Sequence, residues 1–285
     1  MGDADFKEEI IMGMVVRTNV MGINANRQLG MNNSQVSKSL EKLSSGYRIN
    51  RAGDDASGLA ISEKMKAQIK GLEQASSNCQ DAISLVQTAE GATTEIHNML
   101  NRMVELTTKA ANGIYEDVDR TAIQNELDQL ATEISRITTS TKFNNTVLLD
   151  GNFKGKSFQI GTEASDVLTV TIANLSSTAL TVAGDNIKVN DSGAALTALD
   201  NVKKAINAVS TERAKLGAVQ NRLEYTINNL DTTAENMSAA NSRIRDTDMA
   251  KEMMNYTKMN VLTQAAQAML AQANQQPQAV LQLLQ

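Results

Sequence analysis

The loop at Gly151–Ser157 is the first place where the sequence suggests binding chemistry. Its letters, GNFKGKS, have the composition of a phosphate-binding loop, in which backbone amides and a lysine hold phosphate groups. The GxxxxGK[ST] motif needs a longer spacer before its GK[ST] triplet than the three residues found here. Alternating hydrophobicity after the loop predicts a strand, whereas a phosphate-binding loop opens a helix. The sequence therefore argues against nucleotide binding.

Four further side chains could do chemistry, and each has a simpler interpretation. Asp54 and Asp55 could pair for acid–base catalysis, but their glycine and serine neighbours predict a solvated helix-capping turn. Cys79 is the only cysteine, which excludes an internal disulfide, and we expect it to pack as a small hydrophobe. His97 has no second imidazole or thiol nearby in sequence, so we interpret it as a helix-surface residue. We predict no enzyme activity, no cofactor and no metal.

The composition favours thin helical seams over a thick globular core. Of 285 residues 41% are hydrophobic, but only 3% are aromatic and tryptophan is absent. A net charge of -5 argues against a nucleic-acid partner. No segment approaches the roughly 18 apolar residues of a membrane span, and acidic residues precede the apolar run at 10–16. We expect no membrane insertion and, if the protein leaves the cell, export without a cleaved Sec signal.

A long helix is predicted over Leu199–Ile244, and the other elements must be arranged along it. Its apolar residues recur at alternating spacings of three and four, the heptad period of a coiled coil. At about 1.5 Å per residue this helix is about 70 Å long, so it must lie along other helices. Similar apolar faces run from Met65 to Ala110 and from Ile123 to Ile137. The predicted seam of the long helix comprises residues 199, 202, 206, 209, 213, 216, 220, 223, 227, 230, 234, 237, 241 and 244.

Residues 150–195 are the part of the chain that is predicted not to be helical. Turn signals at Asn144–Asn145 and Asp150–Gly151 precede a change to period-two hydrophobicity. This pattern predicts strands at 157–160 and 167–172, and a further strand at 187–189. We therefore predict a mainly α fold of long coiled-coil helical hairpins with a small β-hairpin region.

Both ends of the chain carry unusually little charge. Arg27 is the only charged residue from Thr18 to Ser37, and no charged side chain occurs from Met259 to Gln285. Full burial of each large aliphatic side chain there is worth about 1.5–3 kcal/mol, and ordinary disordered tails are charged or proline-rich. We predict that the ends stay loose in the monomer and become ordered on assembly. The predicted self-assembly residues are Val20, Leu29, Val36, Leu40, Leu262, Leu270, Val280, Leu281, Leu283 and Leu284.

The first helix and the residues before it complete the prediction. Ser44–Gly46 is expected to end that helix. Residues 1–13 differ in character from the rest, and the Lys-Glu-Glu run before Met12 and Met14 has purine-rich codons like a ribosome-binding sequence. We expect a natural start at Met12 or Met14 and a non-native or disordered extension before it. The apolar or small residues on the predicted face of the first helix are Gly22, Ala25, Leu29, Val36, Leu40 and Leu43.

Two stretches closely resemble the bacterial flagellin family. They are LSSGYRINRAGDDASGLAISEKMKAQIKGLEQASSNCQDAISLVQTAEGA and SRIRDTDMAKEMMNYTKMNVLTQAAQAMLAQANQQPQAVLQLLQ. The resemblance covers nearly all of 14–150 and 195–285, and the intervening segment is too short for a large outer domain. It implies discontinuous domains formed from both chain ends. These are a terminal helical core (14–45 with 252–285), spoke connectors (46–57 and 246–251), a helical rod (58–149 with 196–245) and a β-hairpin with a short variable segment (150–195).

The resemblance also implies a function and a set of partners. Flagellins are structural subunits that polymerise into the extracellular flagellar filament for motility. Implied partners are further copies of the chain, a flagellar export chaperone, the type III flagellar export apparatus, and the filament cap and hook-junction proteins. Host Toll-like receptor 5 recognises the family, and the matching positions here are Arg102, Glu105, Leu106 and Glu126. Departures at Thr107, Thr108 and Lys109 leave the strength of receptor signalling open.

Three alternatives remain at this point. A hook-filament junction protein shares the terminal helices, although the nearly complete C-terminal match favours flagellin. Some flagellins carry a peptidase in the variable region, but residues 150–195 contain no histidine or cysteine. A coiled-coil adaptor would stay in the cytosol.

Overall fold

The computed structural model describes residues 18–283, with side chains through residue 276. The described chain is mainly α-helical with two small antiparallel hairpins, as predicted. In chain order its elements are α1 (Val20–Ser45), α2 (Ala56–Ala110), α3 (Asp117–Ser140), β1 (Lys142–Phe143), β2 (Thr146–Val147), β3 (Lys156–Gln159), β4 (Val167–Val170), a 3-10 helix (Gly184–Ile187), α4 (Ser192–Arg245) and α5 (Met249–Leu283). The start predicted at Met12 or Met14 lies outside the described residues.

The chain divides into two compact units. The central unit comprises Met65–Ser238, and the terminal unit combines the residues up to Lys64 with those from Ala239 onward. The terminal unit is thus formed from both chain ends. The finer division into core, spoke and rod segments stays a prediction.

The hydrophobic core lies in the central unit, where α2, α3 and α4 contribute buried side chains at heptad-like spacings. In α3 the buried apolar residues are Ile123, Leu127, Ala131 and Ile134, while the predicted Leu130 and Ile137 pack partly buried beside them. Such a wide apolar stripe is typical of a helix that has neighbours on more than one side. The helices predicted from apolar periodicity are therefore confirmed.

The helix α4 spans its predicted range, but its buried register differs at alternate positions. Val202, Val209 and Leu216 are buried as predicted. At the positions between them the buried residues are Ala198, Ala205 and Glu212, one residue before the predicted Leu199, Ile206 and Arg213. The reason is that α4 has two neighbours. It contacts α2, where Ser76 donates a hydrogen bond to Asp231, and also the 170–190 segment, where Glu212 accepts one from the Ala173 amide.

The non-helical segment packs against the helices through two hairpins and a short 3-10 helix. Asn144 and Asn145 have φ of 43° and 66°, the left-handed pair that a two-residue type I′ turn needs, and they join β1 to β2. Strands β3 and β4 pair with Phe158 opposite Leu168. These hairpins confirm the predicted turn and two of the predicted strands.

The strand predicted at 187–189 is wrong. Ile187 ends the 3-10 helix, and both Ile187 and Val189 are buried in the core. The Val189 amide donates to the Gln124 side chain at 3.0 Å instead of to a neighbouring strand. The alternating hydrophobicity arises here because one side of an irregular segment is buried. The same pattern would occur in a paired strand, so the sequence alone cannot distinguish the two structures.

The terminal unit contains α1 packed along α5. The Asn19 side chain accepts a hydrogen bond from the Gly22 amide and donates one to the Ala273 carbonyl at 2.8 Å, so it joins the two helices. Helix α1 ends at Ser45, and Gly46 follows with φ of 75°, as the predicted stop requires. One predicted face residue is wrong: Leu40 is 54% exposed, whereas Ser39 is 6% exposed and continues the three-and-four seam from Leu29 and Val36.

Candidate functional site

An uncovered apolar surface lies along α5. No residue from Met249 to Gln276 is buried, although the helix is well formed over this range. A half-buried stripe through Tyr256, Thr263 and Leu270 has the spacing of a seam along one partner helix. The remaining faces stay open to solvent. Large apolar residues exposed there are Met249, Met253, Met254, Val261, Leu262 and Met269.

Helix α1 presents a matching uncovered surface. Val20, Met21, Ile23, Met31 and Leu40 are all exposed. Arg27 is the only charged residue in the first half of α1, and its guanidinium donates a hydrogen bond to the side-chain oxygen of Asn24 at 2.9 Å. Two helices packed along one seam bury a narrow stripe, so their other faces retain apolar area that is exposed among the described residues.

The predicted self-assembly residues whose side chains are described fall into two groups. Val20, Leu40 and Leu262 are exposed and available for contact. Leu29, Val36 and Leu270 are half-buried along the seams of α1 and α5. Val280, Leu281 and Leu283 belong to α5, but their side chains lie outside the described residues, as does Leu284 altogether.

A second candidate site, in the central unit, is centred on Arg102. Its Nε lies 2.9 Å from a Glu126 carboxylate oxygen of α3, and its Nη1 lies 2.8 Å from Glu105 of its own helix. The hydrogen bonds that Arg102 donates to Glu105 and Glu126 raise the pKa of Arg102. Three of the four predicted receptor residues therefore form one exposed ion-pair network. The fourth, Leu106, is 4% exposed and packs in the core.

Comparison with known proteins identifies the family of this chain. The sequence profile described as the bacterial flagellin N-terminal helical region matches residues 16–154, and the profile of the bacterial flagellin C-terminal helical region matches residues 199–284. A flagellin of Halalkalibacterium halodurans is 51% identical over 271 residues, which cover 95% of this chain and 100% of that protein. This chain belongs to the bacterial flagellin family.

Two further similarities agree with this assignment. The flagellar filament 33 kDa core protein of Treponema phagedenis is 46% identical over 285 residues, with 95% of this chain and 100% of that protein covered. The crystal structure of Bacillus cereus flagellin superposes with a TM-score of 0.50 at 34% identity, over 58% of this chain and 94% of that one. The stretch between the two matched profiles is short, so this is a flagellin with a small variable segment.

The other chemically capable residues of this flagellin have structural roles. Asp55 accepts hydrogen bonds from the Gly58 amide at 2.8 Å and from the Ser57 hydroxyl, so it caps α2 as predicted. The Gly151–Ser157 loop leads into β3, which is a strand as predicted. Cys79 is fully buried in the core, and burial raises the pKa of its thiol. Across residues 18–276 no group of three or more histidine, cysteine, aspartate or glutamate side chains could hold a metal ion.

The histidine differs from its prediction. His97 is half-buried, and its Nδ1 is enclosed without a hydrogen-bond partner among the described residues. Among all the residues that the structure describes, no helix is both long enough and apolar enough to cross a bilayer.

Sequence reasoning missed the clasp that joins the two chain ends in the terminal unit of the flagellin. The Arg245 guanidinium lies 4.8 Å from the centre of the Tyr47 ring and pairs with Glu63. Nearby, the Arg48 amide donates to the Arg245 carbonyl at 2.7 Å, and the Thr247 amide donates to Gly46 at 2.9 Å. Glu63 and Arg245 are 182 positions apart, and no local pattern couples residues at such a separation.

Proposed function

We propose that this flagellin is the structural subunit of the flagellar filament and that it self-assembles outside the cell. The observation that carries the proposal is the terminal unit, where two long helices cover only one seam of each other and leave apolar side chains exposed on their other faces. At about 25 cal/mol per Å² of apolar surface removed from water, covering these faces with neighbouring copies supplies a driving force for polymerisation. The scarcity of charge on α1 and α5 removes the main cost of that burial.

The mechanism we propose couples ordering of the chain ends to association. A pair of helices without a closed core is held by little more than its seam, so its free energy of unfolding as an isolated unit is small. Neighbouring copies that cover the open faces would add the missing burial, and a loose end would acquire its final order at that step. Loose ends also suit export of an unfolded chain through the type III flagellar apparatus, with an export chaperone covering the C-terminal segment beforehand.

Deletion of the C-terminal part of α5 tests this proposal. We expect a chain without 259–285 to remain soluble, because the core of the central unit lies entirely between Leu72 and Leu230, and to form no filaments. The measurements are far-ultraviolet circular dichroism for folding and electron microscopy for polymerisation. A chain without residues 1–13 is the matched control and should polymerise normally. Normal filaments from the chain without 259–285 would refute the mechanism.

Recognition by host Toll-like receptor 5 is a second proposed function. The supporting observation is the exposed Arg102–Glu105–Glu126 network, which presents a guanidinium between two carboxylates on adjacent helices. A partner that pairs with this network would use bidentate, charge-assisted hydrogen bonds. We expect Arg102→Ala to weaken binding of the receptor ectodomain by about tenfold or more, because central arginines dominate many interfaces.

Arg136→Ala provides the control for that experiment. Like Arg102, Arg136 is exposed and paired with a glutamate, in this case Glu133. It lies on α3, outside the proposed receptor site. Equal binding losses for the two variants would contradict the assignment of the site to Arg102.

Two alternatives, a hook-filament junction protein and an enzyme, are tested by the length of the assembly and by a protease assay respectively. A hook-filament junction protein would add only a short terminal segment, so long filaments grown from the purified chain would support the filament subunit, as does the full coverage of the flagellin relative. The absence of enzyme activity stays a prediction. Casein incubated with the filaments should remain intact.

A further inference from the structure

The central unit buries most of its large apolar side chains, so the few that remain exposed need an explanation. Within Met65–Ser238, where every residue is described, the exposed large apolar residues are Ile114, Val118, Val167, Leu196 and Tyr225. Two of them are almost fully accessible: Ile114 is 77% exposed and Val118 is 79% exposed. These side chains contribute nothing to the core that lies beneath them.

Three of these residues belong to one end of the helical bundle. Ile114 lies in the turn between α2 and α3, and Val118 lies in the first turn of α3. Leu196 lies one turn along α4 from Ser192, whose hydroxyl donates to the Ala111 carbonyl at 2.7 Å, so the start of α4 adjoins that same turn. We call Ile114, Val118 and Leu196 the tip patch.

The tip patch stands on a rigid support. The buried Arg120 guanidinium donates hydrogen bonds to the carbonyls of Ala110, Asn112 and Tyr115, which fixes the turn that carries Ile114. The Lys109 ammonium lies 5.4 Å from the centre of the Tyr115 ring. A turn held in this way presents its apolar residues without further loss of backbone entropy on binding.

The exposed aromatic residue Tyr225 marks a second surface, on α4, to which another copy could bind. Tyr225 is 77% exposed and lines a shallow depression on one face of α4 that is largely open to solvent. We call this depression the α4 groove. The small side chain of Ala218 leaves room there, and Arg222 supplies a positive charge. The residues that line this α4 groove are Ala218, Asn221, Arg222, Tyr225, Thr226 and Asn229.

The charges of the two surfaces are complementary. Glu116, Asp117 and Asp119 are exposed and lie beside Ile114 and Val118 along the chain. Glu116 makes no capping hydrogen bond at the start of α3, and it forms no ion pair within the central unit. Arg222 likewise forms no ion pair within the central unit. The carboxylates of the tip and the single arginine of the α4 groove, which form no ion pairs within the central unit, attract each other between copies.

We propose that the tip patch of one copy docks in the α4 groove of a second copy. This inference rests on the proposed filament function and names one of its contacts. Because two different surfaces meet, the contact is heterologous. A pair of copies retains one free tip patch and one free α4 groove, which allows growth without closure. Leu196 and Tyr225 are 29 residues apart on α4. In copies that lie parallel, the contact therefore displaces one copy from the next by about 44 Å along that helix.

Disulfide trapping tests the contact in assembled filaments of the full chain. Val118→Cys combined with Tyr225→Cys should give, on mild oxidation, a ladder of dimers and higher oligomers on a non-reducing gel. The two sites of one chain are too far apart to bridge internally, and the native Cys79 is buried and does not compete. The matched control is Val118→Cys with Glu224→Cys, because residue 224 neighbours the groove without lining it.

Charge reversal provides a second readout. Arg222→Glu should raise the critical concentration for polymerisation by about tenfold, and adding Glu116→Arg should restore most of that loss. If Val118→Cys prevents assembly, Ile114→Cys replaces it in the trapping experiment.

The outcomes separate this contact from the filament function as a whole. Filaments that show no ladder above the Glu224→Cys control, or charge variants that polymerise like the unmodified chain, would overturn the proposed contact and leave the filament function standing. Failure of the unmodified chain to form filaments would count against the filament function itself.

Discussion

The central and terminal units use the same heptad spacing with opposite results. In the central unit α2, α3, α4 and the hairpin segment enclose one core, which extends from Leu72 to Leu230. Among the described residues of the terminal unit, Ile49 is the only large apolar side chain that is buried. A helix with several neighbours buries a wide stripe, whereas a helix with one neighbour buries a narrow stripe. The difference separates a unit with a core of its own from a unit that we propose is completed by other copies.

The largest test of this contrast truncates one leucine in each unit. Leu100→Ala in the central core should lower the free energy of unfolding by about 2–5 kcal/mol, because Leu100 is fully buried and its removal leaves a cavity. Leu262→Ala on α5 should change the stability of the monomer by less than about 0.5 kcal/mol. Thermal or denaturant unfolding of monomers measures both values.

Polymerisation should reverse the order of the two leucine variants. Leu262→Ala should raise the critical concentration more than Leu100→Ala, because Leu262 is exposed in the monomer and we propose that it is covered in the filament. A monomer that loses several kcal/mol from Leu262→Ala would show that the terminal unit already covers this residue.

The sequence predicted the contrast between the units better than it predicted the details of either one. Apolar periodicity identified the helices, and the absence of charge at both ends indicated the uncovered surface. It failed at Ala198, Ala205 and Glu212 because the buried register of α4 depends on a second neighbour, which a single heptad pattern cannot specify. Strands β1 and β2 were missed because two residues each are too short for a periodic signal.

An intermediate effect is expected from two arginines that bond to the ends of helices. Arg120 in the central unit is buried and donates to the Ala110 carbonyl at the end of α2, whereas Arg48 in the terminal unit is exposed and donates to the Ile244 carbonyl near the end of α4. Arg120→Met should cost about 1–3 kcal/mol, because it leaves buried carbonyls without donors.

The same change at Arg48 should cost less, because water can replace the lost donor. We expect Arg48→Met to stay below about 1 kcal/mol in the same unfolding experiment. A cost at Arg48 equal to that at Arg120 would mean that the terminal unit excludes water at this position in the monomer, contrary to its open structure.

The smallest expected effect concerns the pH dependence of the cap on α2, which lies in the terminal unit. The hydrogen bond from the Gly58 amide, followed by that from the Ser57 hydroxyl, lowers the pKa of Asp55 below its ordinary value of 3.8. A carboxyl group whose pKa is lower in the folded state stabilises that state above the unfolded pKa and loses this contribution as the pH falls through the folded pKa. The first turn of α2 should therefore begin to fray only below about pH 4.

Amide exchange at Gly58 and Leu59 measures this local fraying, since the effect is too small for global unfolding. Asp55→Ser is the sharpest comparison, because serine keeps a capping oxygen but has no charge to titrate. We expect the Asp55→Ser variant to protect these amides about equally across the acidic range, and Asp55→Ala to lose protection at every pH. If the unmodified chain and the Asp55→Ser variant lost amide protection at the same pH on acidification, a carboxyl group other than that of Asp55 would control the fraying of the first turn of α2.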